Sequence, residues 1–200
     1  VLIRVDAAGI CGSDLHIYHD VPPFPVVLGH EVTGTIVAMG EKANQSMYVY
    51  GGPLMVGDRI SLYPTVTCGH CRNCMDYGYL WKVPEDMPVE RAALLDPLAV
   101  AVRTVELAQR CPGTMENCLD ETRTALVIGD GTIGALVAYY LRLLGIGRLV
   151  IAGGREKRLK KCTSLAQADL LLNYKTQSLE ERSELIGQLT GGRGADVVFQ

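Results

Sequence analysis

The glycines at positions 129, 131 and 134 constrain this chain most, because of what stands on either side of them. Thr124-Ala125-Leu126-Val127-Ile128 is a continuous apolar run, short enough to be a strand buried on both faces. After Gly129-Asp130-Gly131-Thr132-Ile133-Gly134, the stretch from Ile133 to Leu144 predicts a helix that stops at Gly145. A strand, a G-x-G-x-x-G turn and a helix in that order suit a dinucleotide. The first glycine permits the tight turn, the second lets backbone approach a pyrophosphate, and the third lets helix and strand pack closely. The helix N-terminus then favours the phosphate charge. Gly129, Gly131, Thr132, Ile133 and Gly134 are therefore candidate nucleotide-binding residues. The plain alternative is a tight turn that holds no ligand.

The residues beyond continue the alternation. Arg148 to Ala152 predicts a strand, Glu156 to Ala166 a helix, Asp169 to Leu172 a strand, Leu179 to Leu189 a helix, and Ala195 to Phe199 a strand. Such alternation implies right-handed crossovers and a parallel sheet. An acid about 20 residues past the glycines would hold a ribose 2′-hydroxyl. Gly153 stands there instead, followed by Arg155, Lys157 and Arg158. Losing the acid removes repulsion against a 2′-phosphate, and a nearby arginine can hold that phosphate. Gly153, Arg155 and Arg158 thus lean the expectation towards NADP, or towards tolerance of both NAD and NADP. The alternative is that Arg155 to Arg158 is only a solvated helix start.

Upstream the texture differs. Residues 1–90 are rich in Gly, Pro and short β-type runs, such as Val1 to Ala7, Val32 to Ala38 and Asp58 to Tyr63. This predicts an irregular, mostly β domain. Pro88 to Ala108 predicts a connecting helix, and Gln109 to Arg123 a surface insertion, so the expected divisions are 1–90, 91–123 and 124–200. A net charge of −3 offers no polybasic surface for nucleic acid or anionic membrane. No run approaches the ~18 apolar residues of a membrane span. Charges at Arg4 and Asp6 argue against a signal peptide at Val1. The chain starts without Met and stops directly after a strand, so residues are expected to be missing from both ends.

Seven cysteines include Cys68, Cys71 and Cys74, a C-x-x-C-x-x-C run that fits a thiolate metal site better than a disulfide framework. The compartment expected is reducing and cytoplasmic. Cys11-Gly12-Ser13-Asp14-Leu15-His16 and Gly29-His30-Glu31 add thiolate, imidazole and carboxylate donors of the kinds zinc takes, with loop geometry expected between them. Seen singly, Cys11 reads as a small buried hydrophobe, His30 as a core histidine and Glu31 as an exposed acid.

Taken in order, several motifs resemble the zinc-dependent medium-chain alcohol dehydrogenase family, especially its sorbitol and threonine dehydrogenase-like branches. They are Gly9-Ile10-Cys11-Gly12-Ser13-Asp14, Leu28-Gly29-His30-Glu31, Val56-Gly57-Asp58-Arg59, the cysteine cluster and the strand-bounded glycines, and the likeness runs from Val1 to Gln200. The resemblance implies an α/β fold class: a GroES-like, β-rich catalytic domain plus a partial Rossmann domain with a doubly wound parallel sheet. The active site is then expected in the cleft between them. It implies that Cys11 and His30 bind a catalytic zinc, with Glu31 a supporting or alternating ligand and Asp14 orienting His30. Asp96, in Asp96-Pro97-Leu98, occupies the place of a Glu ligand in the polyol-type branch, one methylene shorter. Zinc would act as a Lewis acid on the substrate oxygen, hydride would pass to NAD(P), and Ser13 and then His16 would carry the proton out.

For Cys68, Cys71 and Cys74 the resemblance implies a structural zinc, with a fourth cysteine eight positions on. Lys82 stands there, and Tyr79 to Pro84 resembles a segment found much later in the family. Residues are therefore expected to be missing between about Cys74 and Leu80, the alternative being a true deletion. A small-molecule secondary alcohol or polyol is the expected substrate, and a homodimer or homotetramer the expected assembly. Rival readings are a zinc-free quinone or enone reductase of the same superfamily, a methyltransferase, and a catalytically inactive relic of the fold.

Overall fold

The computed structural model of the chain describes residues 1–20, 25–46, 49–64, 80–109 and 119–200, which form two compact units, Val1–Asp96 and Pro97–Gln200. Short β-branched runs such as Val32 to Val37 help the first unit build a five-stranded mixed sheet. β1 (Leu2–Gly9), β2 (Glu31–Ala38), β4 (Arg59–Leu62) and β5 (Leu80–Lys82) pair antiparallel in that order, and β3 (Val49–Tyr50) lies parallel to β5 at the edge. Ile36, Leu54, Ile60 and Leu80 form its buried apolar cluster. Thr33 is also fully buried, and its hydroxyl donates to the Ile60 carbonyl at 2.9 Å, which satisfies it.

Helices α1 (Gly12–His19), α2 (Ala43–Ser46) and α3 (Val89–Ala92) complete this unit, and α4 (Leu95–Gln109) begins at its end. The single helix expected over Pro88 to Ala108 is two, α3 and α4. Pro97 explains the break: its ring would strike the carbonyl of Ala93 four residues earlier, so no α-helix runs through that point. In the first turn of α4 the missing proline N–H costs nothing. Helix α1 was not expected from the pattern. Its only buried residue is Asp14, so it carries no apolar stripe for a periodicity argument to find. Between Cys11 and His30, where loop geometry was expected, residues Gly12–His19 are helix and residues 25–30 are loop.

The second unit carries a four-stranded parallel sheet in the order β8-β7-β6-β9, formed by β6 (Thr124–Ile128), β7 (Arg148–Gly153), β8 (Leu170–Asn173) and β9 (Val197–Phe199). Between them run α5 (Thr132–Leu143), α6 (Glu156–Ala166) and α7 (Leu179–Thr190). On one face Val137 and Leu141 of α5 and Leu159 and Cys162 of α6 pack with Val127, Leu149 and Ile151; Ala101 and Val105 of α4 join them. On the other face Val150, Ala152 and Leu172 meet Leu185, Ile186 and Leu189 of α7. Helices on both faces of a parallel sheet make this the doubly wound, Rossmann-type arrangement expected. Helix α7 starts with a capping box: Glu181 N–H donates to Ser178 Oγ at 3.1 Å, and Ser178 N–H donates to Glu181 Oε2 at 2.7 Å. Among the described residues no helix is long and apolar enough to cross a membrane.

Strand order reverses beside β6, with β7 and β8 on one side and β9 on the other. Ligands of such sheets bind outside the carboxyl ends of the strands at that point, and Gly129 to Gly134 sit there. A Cβ on Gly134 would press into the Gly129 carbonyl. Helix α5 can therefore approach β6 only because position 134 has no side chain. Gly134→Ala should lower stability by about 1–3 kcal/mol in urea unfolding at unchanged m-value. A variant as stable as the parent would show that helix and strand can separate freely.

Candidate metal centre and nucleotide turn

The antiparallel register of β1 and β2 sets Gly9 opposite Glu31. A Cβ on Gly9 would collide with the Glu31 carboxylate, so the absent side chain is what lets that buried acid lie across the strand pair. Two residues on, Cys11 caps α1, and its N–H donates to Asp14 Oδ2 at 2.9 Å. The other oxygen of Asp14 lies 3.2 Å from Nδ1 of His30, just before β2. One buried carboxylate thus closes the helix start and orients the imidazole, leaving Nε2 for a ligand. The ligand atoms of Cys11, His30 and Glu31 all lie within 4.8 Å of one another.

The electrostatics match a cation site. Hydrogen bonds from the Ser13 side chain and backbone hold the Cys11 thiol below its usual range, with His30 adding to the effect. Burial pulls His30 down, but the thiol and the Asp14 carboxylate reverse this and leave it raised. Glu31 is pushed up by burial first and by the charge of Asp96 next. Asp96, in the first turn of α4, is itself raised by burial. Two carboxyls and a thiol therefore share a space whose nearby cationic partner is one imidazole. A dication reverses that imbalance, so the residues fit zinc. Asp96 stands outside the convergent trio, although its charge reaches Glu31. Ser13 and His16 occupy the exposed side of α1.

In the second unit Gly129 takes a φ of 142°, which admits the turn out of β6. Gly131 is the N-cap of α5 and offers no side-chain hydrogen bond, so the first N–H groups of the helix, at Thr132, Ile133 and Gly134, are open to an acceptor. Gly153 closes β7 and is buried. Arg155, expected to be free for a phosphate, donates from Nε at 3.0 Å and from Nη2 at 2.5 Å to Asp130 Oδ1. Arg158 lines a pocket of about 280 Å³ with Asp130, Gly131, Thr132 and Lys161.

The alcohol dehydrogenase GroES-like domain matches residues 1–81. Over its full length the chain is 28% identical to a zinc-type alcohol dehydrogenase-like protein of Escherichia coli, spanning 62% of that protein. It is 27% identical to sorbitol dehydrogenase of Bacillus subtilis, again over all of this chain and 60% of the relative. An alcohol dehydrogenase structure from Thermotoga maritima superposes with a TM-score of 0.78 at 26% identity, covering 98% of this chain and 62% of that one. Residues 1–81 match that GroES-like domain, and over its whole length the chain is similar to zinc-type alcohol and polyol dehydrogenases. It spans about three-fifths of the length of the relatives it matches.

In the first unit β1, α1 and β2 bring Cys11, Ser13, His30 and Glu31 together, and Asp14 ties them. Cys68, Cys71 and Cys74 lie outside the described residues, as does most of the insertion expected at Gln109 to Arg123. The pattern of residues missed Asp130, whose signal was an acid inside the glycine motif paired with the missing acid at position 153. Asp14→Asn keeps the shape but weakens the hold on His30. Zinc affinity, read by competition with a chromogenic chelator, should fall about 10–100-fold. An unchanged affinity would show that His30 is positioned by its backbone alone.

Proposed function

We propose that the protein is a zinc-dependent oxidoreductase that passes a hydride between a secondary alcohol or polyol and a nicotinamide dinucleotide. The convergence of Cys11, His30 and Glu31 within 4.8 Å carries the reading. The match of residues 1–81 to the GroES-like domain and the glycine turn at the end of β6 support it, and the sorbitol dehydrogenase relative lends the polyol class. Zinc held by Cys11 and His30, with Glu31 or Asp96 as the carboxylate ligand, supplies a Lewis acid for the substrate oxygen.

The chain's own residues do the rest. Asp14 keeps Nδ1 of His30 engaged, so the ring presents one nitrogen and one orientation. Ser13, hydrogen-bonded to Cys11, takes the hydroxyl proton of the alcohol and passes its own to His16, three residues further along the exposed side of α1. The open N–H groups at the start of α5 hold the pyrophosphate. With no carboxylate on residue 153, and with Arg155 and Arg158 beyond it, the dinucleotide is NADP in preference to NAD. By their resemblance to the family's cysteine loop, Cys68, Cys71 and Cys74 would hold a second, structural zinc. A cytoplasmic homodimer or homotetramer completes the reading.

Elemental analysis, paired with NADP- and NAD-linked oxidation of a panel of polyols and secondary alcohols, tests it. Zinc bound in the parent, with turnover lost on chelation, is expected. Cys11→Ala and His30→Ala should each lower turnover by at least about 10³-fold, since the Lewis acid goes with its ligands, and should leave dinucleotide affinity within about twofold. Full turnover in either variant, or a parent protein that binds dinucleotide but holds no zinc, would move the assignment to a zinc-free reductase.

A further inference from the structure

No part of a glycine motif asks for an acid at position 130, yet the Asp130 carboxylate is almost wholly enclosed, with a side chain 4% exposed. Its Oδ2 accepts from the N–H groups of Gly154 at 2.9 Å and Arg155 at 2.7 Å, and its Oδ1 accepts both Arg155 side-chain bonds. These bonds outweigh burial and hold the carboxyl below its usual range. Asp130 also fills the place where an acid at the end of β7 would have to stand. A Cβ on Gly153 would come within 2.6 Å of the Asp130 Cβ. An acid at 153 and Asp130 in this conformation exclude one another.

The partner is arranged differently. The Arg155 side chain is 54% exposed. A guanidinium carries five N–H donors in a planar fork. Two go to Asp130, and among the described residues the other three have no acceptor. Arg155 is therefore anchored along one edge and open along the other. Arg158 and Lys161 stand on the adjoining pocket of about 280 Å³, which also reaches Gly131 and Thr132 at the start of α5. Three cations against one enclosed carboxylate leave a surplus of positive charge where the glycine turn ends.

We infer that Asp130 is a positioning residue that presents Arg155 to the 2′-phosphate of NADP, and that this pair, in place of an acid at position 153, sets the preference for NADP over NAD. The inference rests on the reading of the turn as a dinucleotide site. A carboxylate in front of the guanidinium would repel the phosphate. Asp130 lies behind it, enclosed, while the open edge of Arg155 can grip two phosphate oxygens at once. Because the side chain is held before the ligand arrives, its ordering is not charged against binding.

Dissociation constants of the full chain for NADP and NAD, by calorimetry with thermal unfolding alongside, test the inference in four proteins. The parent is expected to prefer NADP, and R155A to lose that preference. In D130N the amide oxygen still accepts from the backbone N–H groups, while the amide nitrogen cannot accept from the guanidinium. NADP binding should weaken about tenfold, or about 1.4 kcal/mol, with much less effect on NAD and a small change in melting temperature. R155K keeps the charge without the fork and should show a similar loss; it also serves if D130N does not fold. Unchanged or tighter NADP binding in D130N, or in R155K where D130N does not fold, overturns the positioning role while leaving the dinucleotide site standing. Unchanged NADP binding in R155A removes Arg155 from the phosphate and the inference with it. A parent that binds neither dinucleotide sinks the underlying reading as well.

Discussion

The antiparallel pairing of β1 with β2 brings together the candidate metal donors Cys11, His30 and Glu31. Their register puts Gly9 beside Glu31, and the ends of the two strands deliver Cys11 and His30 to the same spot from opposite directions. Sheet hydrogen bonds hold this geometry and keep the three donors convergent. The buried cluster of Ile36, Leu54, Ile60 and Leu80 beneath the sheet keeps the pairing in place. A slip of one residue would send Glu31 to the other face and break the trio.

Two buried carboxylates repeat one device. Asp14 and Asp130 each stand just past the carboxyl end of a strand, near a helix start, and each divides its oxygens between two tasks. One oxygen accepts backbone N–H groups: that of Cys11 for Asp14, and those of Gly154 and Arg155 for Asp130. The other fixes a functional side chain, His30 in the first unit and Arg155 in the second. Backbone N–H groups make these acids tolerable in the interior, since an enclosed carboxylate without donors would be costly. That satisfaction lets each act as a rigid mount, so residues that touch no ligand govern how those that do are held.

The Rossmann-type unit also explains why the glycine turn works only in its setting. β6 is paired on both sides, by β7 and β9, and covered on both faces. Its carboxyl end therefore cannot shift to suit a ligand. Helix α5 leaves that end as closely as Gly134 allows and presents open N–H groups with no cap of its own. Donors left unsatisfied at a rigid position are what would favour an anion there.

Much of the second unit was legible in the sequence because its strands are buried on both faces and its helices on one. Continuous apolar runs such as Thr124 to Ile128 and periodic ones such as Glu156 to Ala166 then announce themselves. The glycine spacing, the donors Cys11, His30 and Glu31, and the family likeness were equally legible, since they depend on residue type and order. Helix α1 was hidden because it buries only Asp14, and the break between α3 and α4 because it comes from Pro97 acting four residues back. Which donors converge was hidden too: Asp96 precedes a proline in the expected place but stands outside the trio, and Glu31 enters it because Gly9 leaves room across the sheet. The engagement of Arg155 by Asp130, twenty-five residues away, depends on β6 and β7 lying side by side. Sequence by itself determined which chemical groups the chain owns and which local elements it forms. Tertiary structure decided which of those groups meet, because strand pairing brings together residues that no local pattern relates.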